Sequence, residues 1–254
     1  METALPSFLA RTTVLIPAFN EEAALPELLA EVRAQLPGAA VTVVDDGSTD
    51  RTAEVARAAG ARVLRLPCNL GVGPAVQAGF QDALECGAEY LIRLDGDGQH
   101  PPAEARKLIA AMRTQPTDLV IGTRYGANST YHGNWSRQLA LKALAAFLSA
   151  ICKKRITDPT SGFWLVSRPL LQCFAIHYPA DYPEAEAIAL LRRQGFEMEE
   201  VPVAFRPRQA GRSSIRAWGT LNFAAKVFLA LFVDRLRSVD PRGSAAFIKK
   251  GRAP

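Results

Sequence analysis

Short apolar runs alternate with helical patterns along the first half of the chain. Residues 12–16, 40–44 and 90–94 are rich in Val, Ile and Leu, a composition that favours buried strands. Between the first two runs, apolar residues recur every three or four positions from Leu25 to Val32, which predicts a helix with one buried face. Strands that alternate with helices predict an α/β fold, with a mostly parallel sheet and helices on both faces.

Polar, glycine-containing segments follow three of the predicted strands. They are Pro-Ala-Phe-Asn-Glu-Glu at 17–22, Asp-Asp-Gly-Ser-Thr-Asp at 45–50 and Asp-Gly-Asp-Gly-Gln-His-Pro-Pro at 95–102. Because ligands of open α/β sheets bind beyond the carboxyl ends of the strands, we expect these segments to line one crevice. A fourth segment, at 69–74, has two glycines but lacks the third glycine of the dinucleotide-binding fingerprint, so it predicts a tight turn before a helix.

The segment at 95–102 also suggests a metal site. Asp95 and Asp97 are separated by one glycine, so a bent backbone would turn both carboxylates toward one hard divalent cation. Gln99 would add a neutral oxygen ligand. The alternative from the residues alone is an ordinary Asp-Gly turn.

Six segments resemble, in order, the motifs of family 2 of the inverting glycosyltransferases. The resemblance is closest to the dolichol-phosphate mannose synthase branch and its bacterial polyprenyl-phosphate relatives, and it extends over about residues 12 to 214. The six are 17–22, 45–50, the glycine-rich turn, 95–102, Gly122-Thr-Arg124 and Thr160-Ser-Gly-Phe163. Their agreement in order and spacing is more specific than any one of them.

The resemblance implies a GT-A fold, a nucleotide-diphosphate sugar donor and Mg²⁺ or Mn²⁺ as the cofactor. It places the GT-A catalytic domain at 1–214. The apolar and basic residues that follow predict an amphipathic interface helix and a basic tail at 215–254. By the same resemblance, Asp95, Asp97 and Gln99 hold the metal and the diphosphate, and Asp97 is counted among the catalytic residues.

Further residues are assigned by matching the motifs of that family. Pro17, Phe19 and Glu21 match positions that line the nucleotide base and ribose. Asp45 matches the acidic residue that reads the base edge, since a carboxylate accepts hydrogen bonds from N–H and hydroxyl donors, and Asp46 is assigned to the same substrate site.

Basic residues are expected around the transferred phosphate groups. Arg124 matches a catalytic-site arginine that can hold an anionic oxygen bidentately. Arg137 matches an arginine that meets the phosphate of a lipid acceptor, and Arg208 matches one that faces the diphosphate. Ser214 stands where the lipid-phosphate branch usually has a lysine. In this departure from the pattern, Arg212 or Arg216 would supply the missing positive charge.

Glu184 leaves the acceptor open. It lies in the first turn of a helix that opens after Asp181, where hydroxyl-directed members of the family carry a general base. A sugar hydroxyl must lose a proton during transfer, whereas a phosphate acceptor is already an anion. The alternative is that Glu184 only complements the dipole of its helix.

Composition and charge also suggest where in the cell the protein works. The chain has 254 residues, 48% of them hydrophobic, and four cysteines without a Cys-x-x-Cys pair, which favours a reduced, cytoplasmic protein. Its first eight residues lack a basic region followed by an apolar stretch, so no signal peptide is expected. Its net charge of +5 comes without a recognisable nucleic-acid motif, so we expect no nucleic-acid partner. The apolar helices predicted at 136–152 and 221–233 have basic residues beside them and are shorter than the about 20 apolar residues of a spanning helix.

These helices predict peripheral attachment to the inner face of the cell membrane, or contact with a small membrane protein. A buried core helix or a homodimer interface is the alternative. The favoured function is sugar transfer to a polyprenyl phosphate or lipid-linked glycan in cell-surface glycan synthesis. Transfer to a hydroxyl of a growing polysaccharide with Glu184 as base is the second hypothesis, and a non-catalytic sugar-nucleotide-binding scaffold is the third.

Overall fold

The computed structural model describes residues 4–125 and 135–207, with only the backbone of residues 135–137. Its strands are β1 Thr12–Ala18, β2 Ala40–Asp45, β3 Arg62–Arg65, β4 Tyr90–Arg93, β5 Leu119–Thr123, β6 Trp164–Ser167 and β7 Met198–Pro202. Its helices are α1 Ala4–Leu9, α2 Leu25–Gln35, α3 Thr52–Ala58, α4 Val72–Glu85, α5 Ala105–Thr114, α6 Trp135–Cys152, α7 Arg168–Ile176 and α8 Pro183–Arg193, and a 3₁₀ turn at Pro102–Glu104 leads into α5.

The seven strands form one mixed sheet in the order β3-β2-β1-β4-β6-β5-β7. β6 runs antiparallel to both of its neighbours, β4 and β5, and the other pairs are parallel. The prediction of a mostly parallel sheet flanked by helices is therefore confirmed. Because β6 is reversed, its N-terminal end lies at the sheet edge where the parallel strands have their carboxyl ends.

Two apolar cores cover the two faces of the sheet. The alternation of side chains along β1 shows the division, since Leu15 packs into one core and Val14 and Ile16 pack into the other, as the two-residue period of a strand requires. Gly79 on α4 allows that helix to approach the sheet closely, because a Cβ at this position would collide with Leu15.

The apolar helix predicted at 136–152 is observed as α6, and it belongs to the core. Leu144, Leu148 and Cys152 are buried, and α6 packs against α8. The membrane-surface interpretation is therefore wrong for this face of the helix, and the core alternative is correct. Leu139, near the start of α6, is 61% exposed. Within the described ranges, no helix combines the length and apolar character needed to cross a membrane.

Several predictions fall on parts of the chain that the structure does not describe. Arg208, Ser214 and the interface helix at 221–233 lie outside the described residues, as does the whole segment 215–254. The proposed division into 1–214 and 215–254 therefore stays a prediction. Arg137 lies in the first turn of α6, where the side chains are not described.

Candidate active site

The loops after β1 and β2 are tied together by hydrogen bonds. The Asn20 backbone N–H donates to Ser48 Oγ at 2.9 Å, and the Thr49 N–H donates to Asn20 Oδ1 at 2.9 Å. Asn20 has a φ of 56°, a left-handed conformation that asparagine tolerates better than most residues. The preceding Phe19 is 42% exposed, so the loops carry an exposed aromatic ring, and its contact with a nucleotide stays a prediction.

Asp45 lies fully buried beneath these loops. Its Oδ1 accepts the Ser48 N–H at 2.9 Å, and its Oδ2 lies 3.3 Å from Arg65 Nε. The second contact is an ion pair without hydrogen-bond geometry, so Oδ2 keeps an unused acceptor site among the described residues. Arg65 is half-exposed. The sequence reasoning missed Arg65, which ends the short strand β3 and matches none of the motifs.

Asp46 holds the glycine-rich turn. Its two carboxylate oxygens accept the backbone N–H groups of Leu70 and Gly71 at 2.8 and 2.9 Å. Burial raises the pKa of Asp46, although these two hydrogen bonds act in the opposite direction. Asp46 thus positions a loop of the site, whereas the sequence predicted a direct contact with substrate, which stays a prediction.

Asp95 and Asp97 occupy one turn at the carboxyl end of β4. Gly96 sits against the end of β1, where a Cβ would lie 3.0 Å from the Pro17 carbonyl oxygen. Asp97 is 4% exposed and its Oδ1 accepts the Gln99 N–H at 3.0 Å. The Asp95 side chain is 35% exposed, so one carboxylate lies at the surface of the crevice and the other lies beneath it.

His100 is buried beside this turn and accepts a hydrogen bond from its backbone. Its Nδ1 accepts the Asp95 N–H at 3.0 Å, and its ring stacks on Phe163 with the centroids 5.1 Å apart. Burial lowers the pKa of His100, which favours a neutral ring with its proton on Nε2, 3.7 Å from Asp95 Oδ2. Burial would raise the pKa of Asp95, but the charge that His100 carries when it is protonated and the charge of Arg93 outweigh this effect, and the pKa of Asp95 is lowered.

The two carboxylates fit a magnesium-type cation that is shared with a substrate. In the described part of the chain, no three His, Cys, Asp or Glu side chains converge as a metal cage. Mg²⁺ in phosphate-handling sites commonly takes only one or two carboxylates and completes its shell with phosphate oxygens and water. Asp95 and Asp97 match that donor set. The Gln99 side chain as a further ligand stays a prediction.

Glu184 is distant from Asp95 in the sequence, but the two are linked through Arg93 in the fold. It lies in the first turn of α8, and its Oε1 accepts a hydrogen bond of 2.7 Å from Arg93 Nη2. Arg93 also lies 3.4 Å from Asp95 Oδ1. The structure therefore brings Glu184 and Asp95 to the same nitrogen, Nη2, of one guanidinium. Arg93 was missed by the sequence reasoning, because one charged residue in a short strand has no motif around it.

Arg124 enters the site at the end of β5 and is held by Asp158. Its Nε and Nη2 donate to the two Asp158 oxygens at 2.8 and 2.7 Å, and Nη2 also donates to Thr160 Oγ1 at 2.8 Å. Asp158 is fully buried, and its N–H donates to Glu200 on β7 at 3.0 Å. The Nε and Nη2 side of the Arg124 guanidinium is thus bound to the Asp158 carboxylate. Asp158 and Glu200 were missed, although Asp158 stands two positions before the Thr160-Ser-Gly-Phe163 motif.

Comparison with known proteins finds a matching family and relatives that are similar over most of the chain. Residues 13–174 match the family described as Glycosyl transferase family 2. The chain is 32% identical to polyprenol monophosphomannose synthase of Mycolicibacterium smegmatis, over 81% of each chain. It is 33% identical to undecaprenyl-phosphate mannosyltransferase of Micrococcus luteus, over 81% of this chain and 87% of the relative.

A solved structure shares the fold at lower identity. Glucosyl-3-phosphoglycerate synthase from Mycobacterium tuberculosis, in complex with Mg²⁺ and uridine diphosphate, has a TM-score of 0.71 at 23% identity, over 92% of this chain and 83% of that one. The overall fold is thus that of a GT-A glycosyltransferase. Taken together, the ordered motifs, the mixed sheet and the matched relatives show that the chain is a glycosyltransferase and belongs to glycosyl transferase family 2.

Proposed function

We propose that this protein is an inverting, metal-dependent glycosyltransferase that moves a sugar from a nucleotide-diphosphate donor to a polyprenyl phosphate. The two relatives above carry names that state transfer of mannose to lipid phosphates of this class. The observation that favours this acceptor in the structure is the ion pair between Glu184 and buried Arg93. A carboxylate bound in this way has a structural role without any proton transfer, and a phosphate acceptor needs no base.

The donor is proposed to lie across the carboxyl ends of β1, β2 and β4. Phe19 would pack on the base, and Asp45 with Arg65 would meet its polar edge. Asp95 and Asp97 would hold Mg²⁺ or Mn²⁺ with the diphosphate. When bound, the cation would offset the negative charge of the leaving nucleoside diphosphate.

The reaction exchanges one bond at the anomeric carbon for another. An oxygen of the acceptor phosphate attacks this carbon on the face opposite to the diphosphate. The bond from carbon to the diphosphate oxygen breaks, and its electron pair leaves with the nucleoside diphosphate. Arg124, fixed by Asp158, would add a positive charge near Asp95, in keeping with its part in lowering the pKa of Asp95.

The second candidate acceptor is a sugar hydroxyl, with Glu184 as the base. The position of Glu184 supports it, because its side chain is 19% exposed and lies beside the same Arg93 that meets Asp95. In that case Glu184 would have to accept a proton while it is bound to Arg93. The first hypothesis avoids this requirement.

Membrane attachment is part of the proposal, because a polyprenyl phosphate resides in a bilayer. We infer that the protein works on the cytoplasmic face, and that residues 221–233 with their basic neighbours provide the contact. Replacing Phe228 and Phe232 by serine should release the protein from anionic vesicles in a sedimentation assay at low salt. Wild-type protein that stays in the supernatant would contradict the attachment and favour the homodimer alternative.

Donor binding is tested by the thermal stability of the protein with a panel of nucleotide-diphosphate sugars, including UDP-glucose and GDP-mannose, each with and without Mn²⁺. A ligand that binds only the folded state raises the melting temperature. We expect a rise with at least one donor that depends on Mn²⁺. A protein whose melting temperature responds to no donor would contradict the proposed function, and binding without any turnover would favour a non-catalytic scaffold.

A further inference from the structure

Arg93 is a buried cation at the centre of the candidate site. It is 1% exposed and lies on β4, two positions before Asp95. Its Nη2 donates to Glu184 Oε1 at 2.7 Å and lies 3.4 Å from Asp95 Oδ1, and its Nη1 donates to Tyr178 Oη at 3.3 Å. One guanidinium therefore joins the end of β4, the first turn of α8 and the segment between α7 and α8.

The surroundings leave this side chain little freedom. The guanidinium carbon lies 5.5 Å from the centroid of the Trp164 ring, a cation–π contact. Gly162 closes another side, since a Cβ there would lie 2.9 Å from Arg93 Nη2 and 3.0 Å from Asp95 Oδ1. The glycine of the Thr160-Ser-Gly-Phe163 motif is thus the residue that leaves room for the contact between Arg93 and Asp95.

The arrangement is not optimised for stability alone. Arg93 Nε is buried and has no hydrogen-bond partner in the part of the chain that the structure describes. An unsatisfied buried donor destabilises a fold, and a buried ion pair is often no more stable than apolar residues of similar size. The position of Arg93 is better explained by the two carboxylates that it holds.

Asp95 and Glu184 need a shared cation to remain close together as anions. Two neighbouring carboxylates without a cation between them repel each other. Arg93 supplies the compensating charge through Nη2, which contacts both carboxylates, while the bond from Nη1 to Tyr178 fixes the direction of the planar guanidinium. Removal of that charge would therefore disturb both carboxylates at once.

We propose that Arg93 is a positioning residue of the transfer site, which fixes the Asp95 carboxylate for the cation and diphosphate and holds Glu184 as its counter-ion. This inference rests on the proposed function, because Asp95 is taken as a metal ligand. It assigns Arg93, Glu184 and Asp95 to one coupled unit. The role of Glu184 then follows from Arg93 and needs no proton transfer.

The test measures binding of Mn²⁺ by calorimetric titration in the presence of UDP and, separately, of GDP. The proteins are wild type, Arg93→Met, Arg93→Lys, Glu184→Gln and the double variant Arg93→Met/Glu184→Gln. Glu186→Gln is the matched control, since Glu186 shares the first turn of α8 but accepts the Tyr182 N–H at 3.2 Å instead. Steady-state transfer is measured over a range of Mn²⁺ concentrations.

We expect Arg93→Met to weaken binding of Mn²⁺ with nucleotide by about 10- to 100-fold, the scale on which residues behind a metal ligand act. Arg93→Lys should lose less, because it keeps the charge but not the fork, and excess Mn²⁺ should restore part of its activity. Since the pair acts as a unit, the double variant should bind no more weakly than Arg93→Met alone. Glu186→Gln should bind as wild type.

Two results would overturn the role of Arg93. One is an Arg93→Met protein that binds Mn²⁺ with nucleotide as tightly as wild type does. The other is a double variant whose fold-loss in Mn²⁺ affinity equals the product of the fold-losses of the two single variants. If Arg93→Met does not fold, the double variant, which removes both charges, and Arg93→Lys decide the question. Binding is read without any acceptor, so a wrong acceptor leaves this test intact. Wild-type protein that binds neither nucleotide with Mn²⁺ would contradict the proposed function and this role together.

Discussion

Arg124 and Asp158 form a two-pronged ion pair at the end of β5, with N···O distances of 2.8 and 2.7 Å. Asp158 is fully buried, so Asp158→Asn leaves the charge of Arg124 without its partner. Loss of one member of a buried pair costs about 3–5 kcal/mol, and we expect a decrease of this size in the free energy of unfolding measured in urea.

A surface pair provides the control for that measurement. Arg11 and Glu89 approach to 2.6 Å, but their side chains are 51% and 44% exposed. Glu89→Gln should change the free energy of unfolding by no more than about 1 kcal/mol. Equal effects of the two substitutions would show that Asp158 is not a buried anchor of Arg124.

The role of the Asp97 charge is tested by Asp97→Asn. The amide oxygen can still accept the Gln99 N–H, which Asp97 Oδ1 now accepts at 3.0 Å, so the turn should persist. Transfer should fall by about 100-fold or more, because several kcal/mol of charge stabilisation depends on the cation. Unchanged turnover, or full activity of the wild type in the presence of a chelator, would contradict the metal role of this residue.

The glycine-rich turn should depend on Asp46. Asp46→Ala leaves the N–H groups of Leu70 and Gly71 without acceptors, which should cost about 1–3 kcal/mol in the free energy of unfolding. Asp46→Asn keeps one acceptor and should cost less. Exposed Asp181, changed to alanine, is the control. If Asp46→Ala weakens donor binding but leaves stability unchanged, the side chain contacts the substrate directly, as the sequence first suggested.

The four cysteines should separate into two classes of reactivity. Burial raises the pKa of Cys152 and of Cys173 to about 11, whereas Cys68 and Cys86 are exposed. Since the thiolate is the nucleophile, a pKa raised in this way leaves about two orders of magnitude less reactive thiolate at pH 8 than an unperturbed cysteine has. Alkylation followed by mass spectrometry should label Cys68 and Cys86 first, and all four in denaturant. Equal labelling rates in the folded protein would contradict the burial of Cys152.

The sequence predicted the elements that have a strong local pattern. β1, β2 and β4 are apolar runs that end in polar motifs, and α4 ends one residue before the predicted Cys86. β6 was not predicted, because Trp164–Ser167 is four residues long and buried throughout, so it shows no alternation. α6 was placed at the membrane because periodicity alone does not distinguish a core helix from an interfacial one.

The sequence predicted the site residues that lie in local motifs. It did not predict the residues that come together only in the folded chain. Asp95 and Asp97 follow a strand directly, and their turn is visible in the sequence. Arg93 and Glu184 are 91 positions apart, and nothing local indicates that they form a pair. Their contact depends on the packing of α8 into the core beside α6, which only the three-dimensional structure provides.

Transfer of the sugar to a lipid phosphate can be measured directly in one assay. Purified protein is given Mn²⁺, a donor with a radiolabelled sugar, and either a polyprenyl phosphate or the same polyprenol without phosphate, in parallel with Glu184→Gln. We predict that label enters the lipid fraction only with the phosphate, and that Glu184→Gln stays within about tenfold of wild type, a smaller loss than removal of a general base usually causes. Label that enters a hydroxyl acceptor instead, together with a loss of about 100-fold or more in Glu184→Gln, would contradict the account and establish Glu184 as the base.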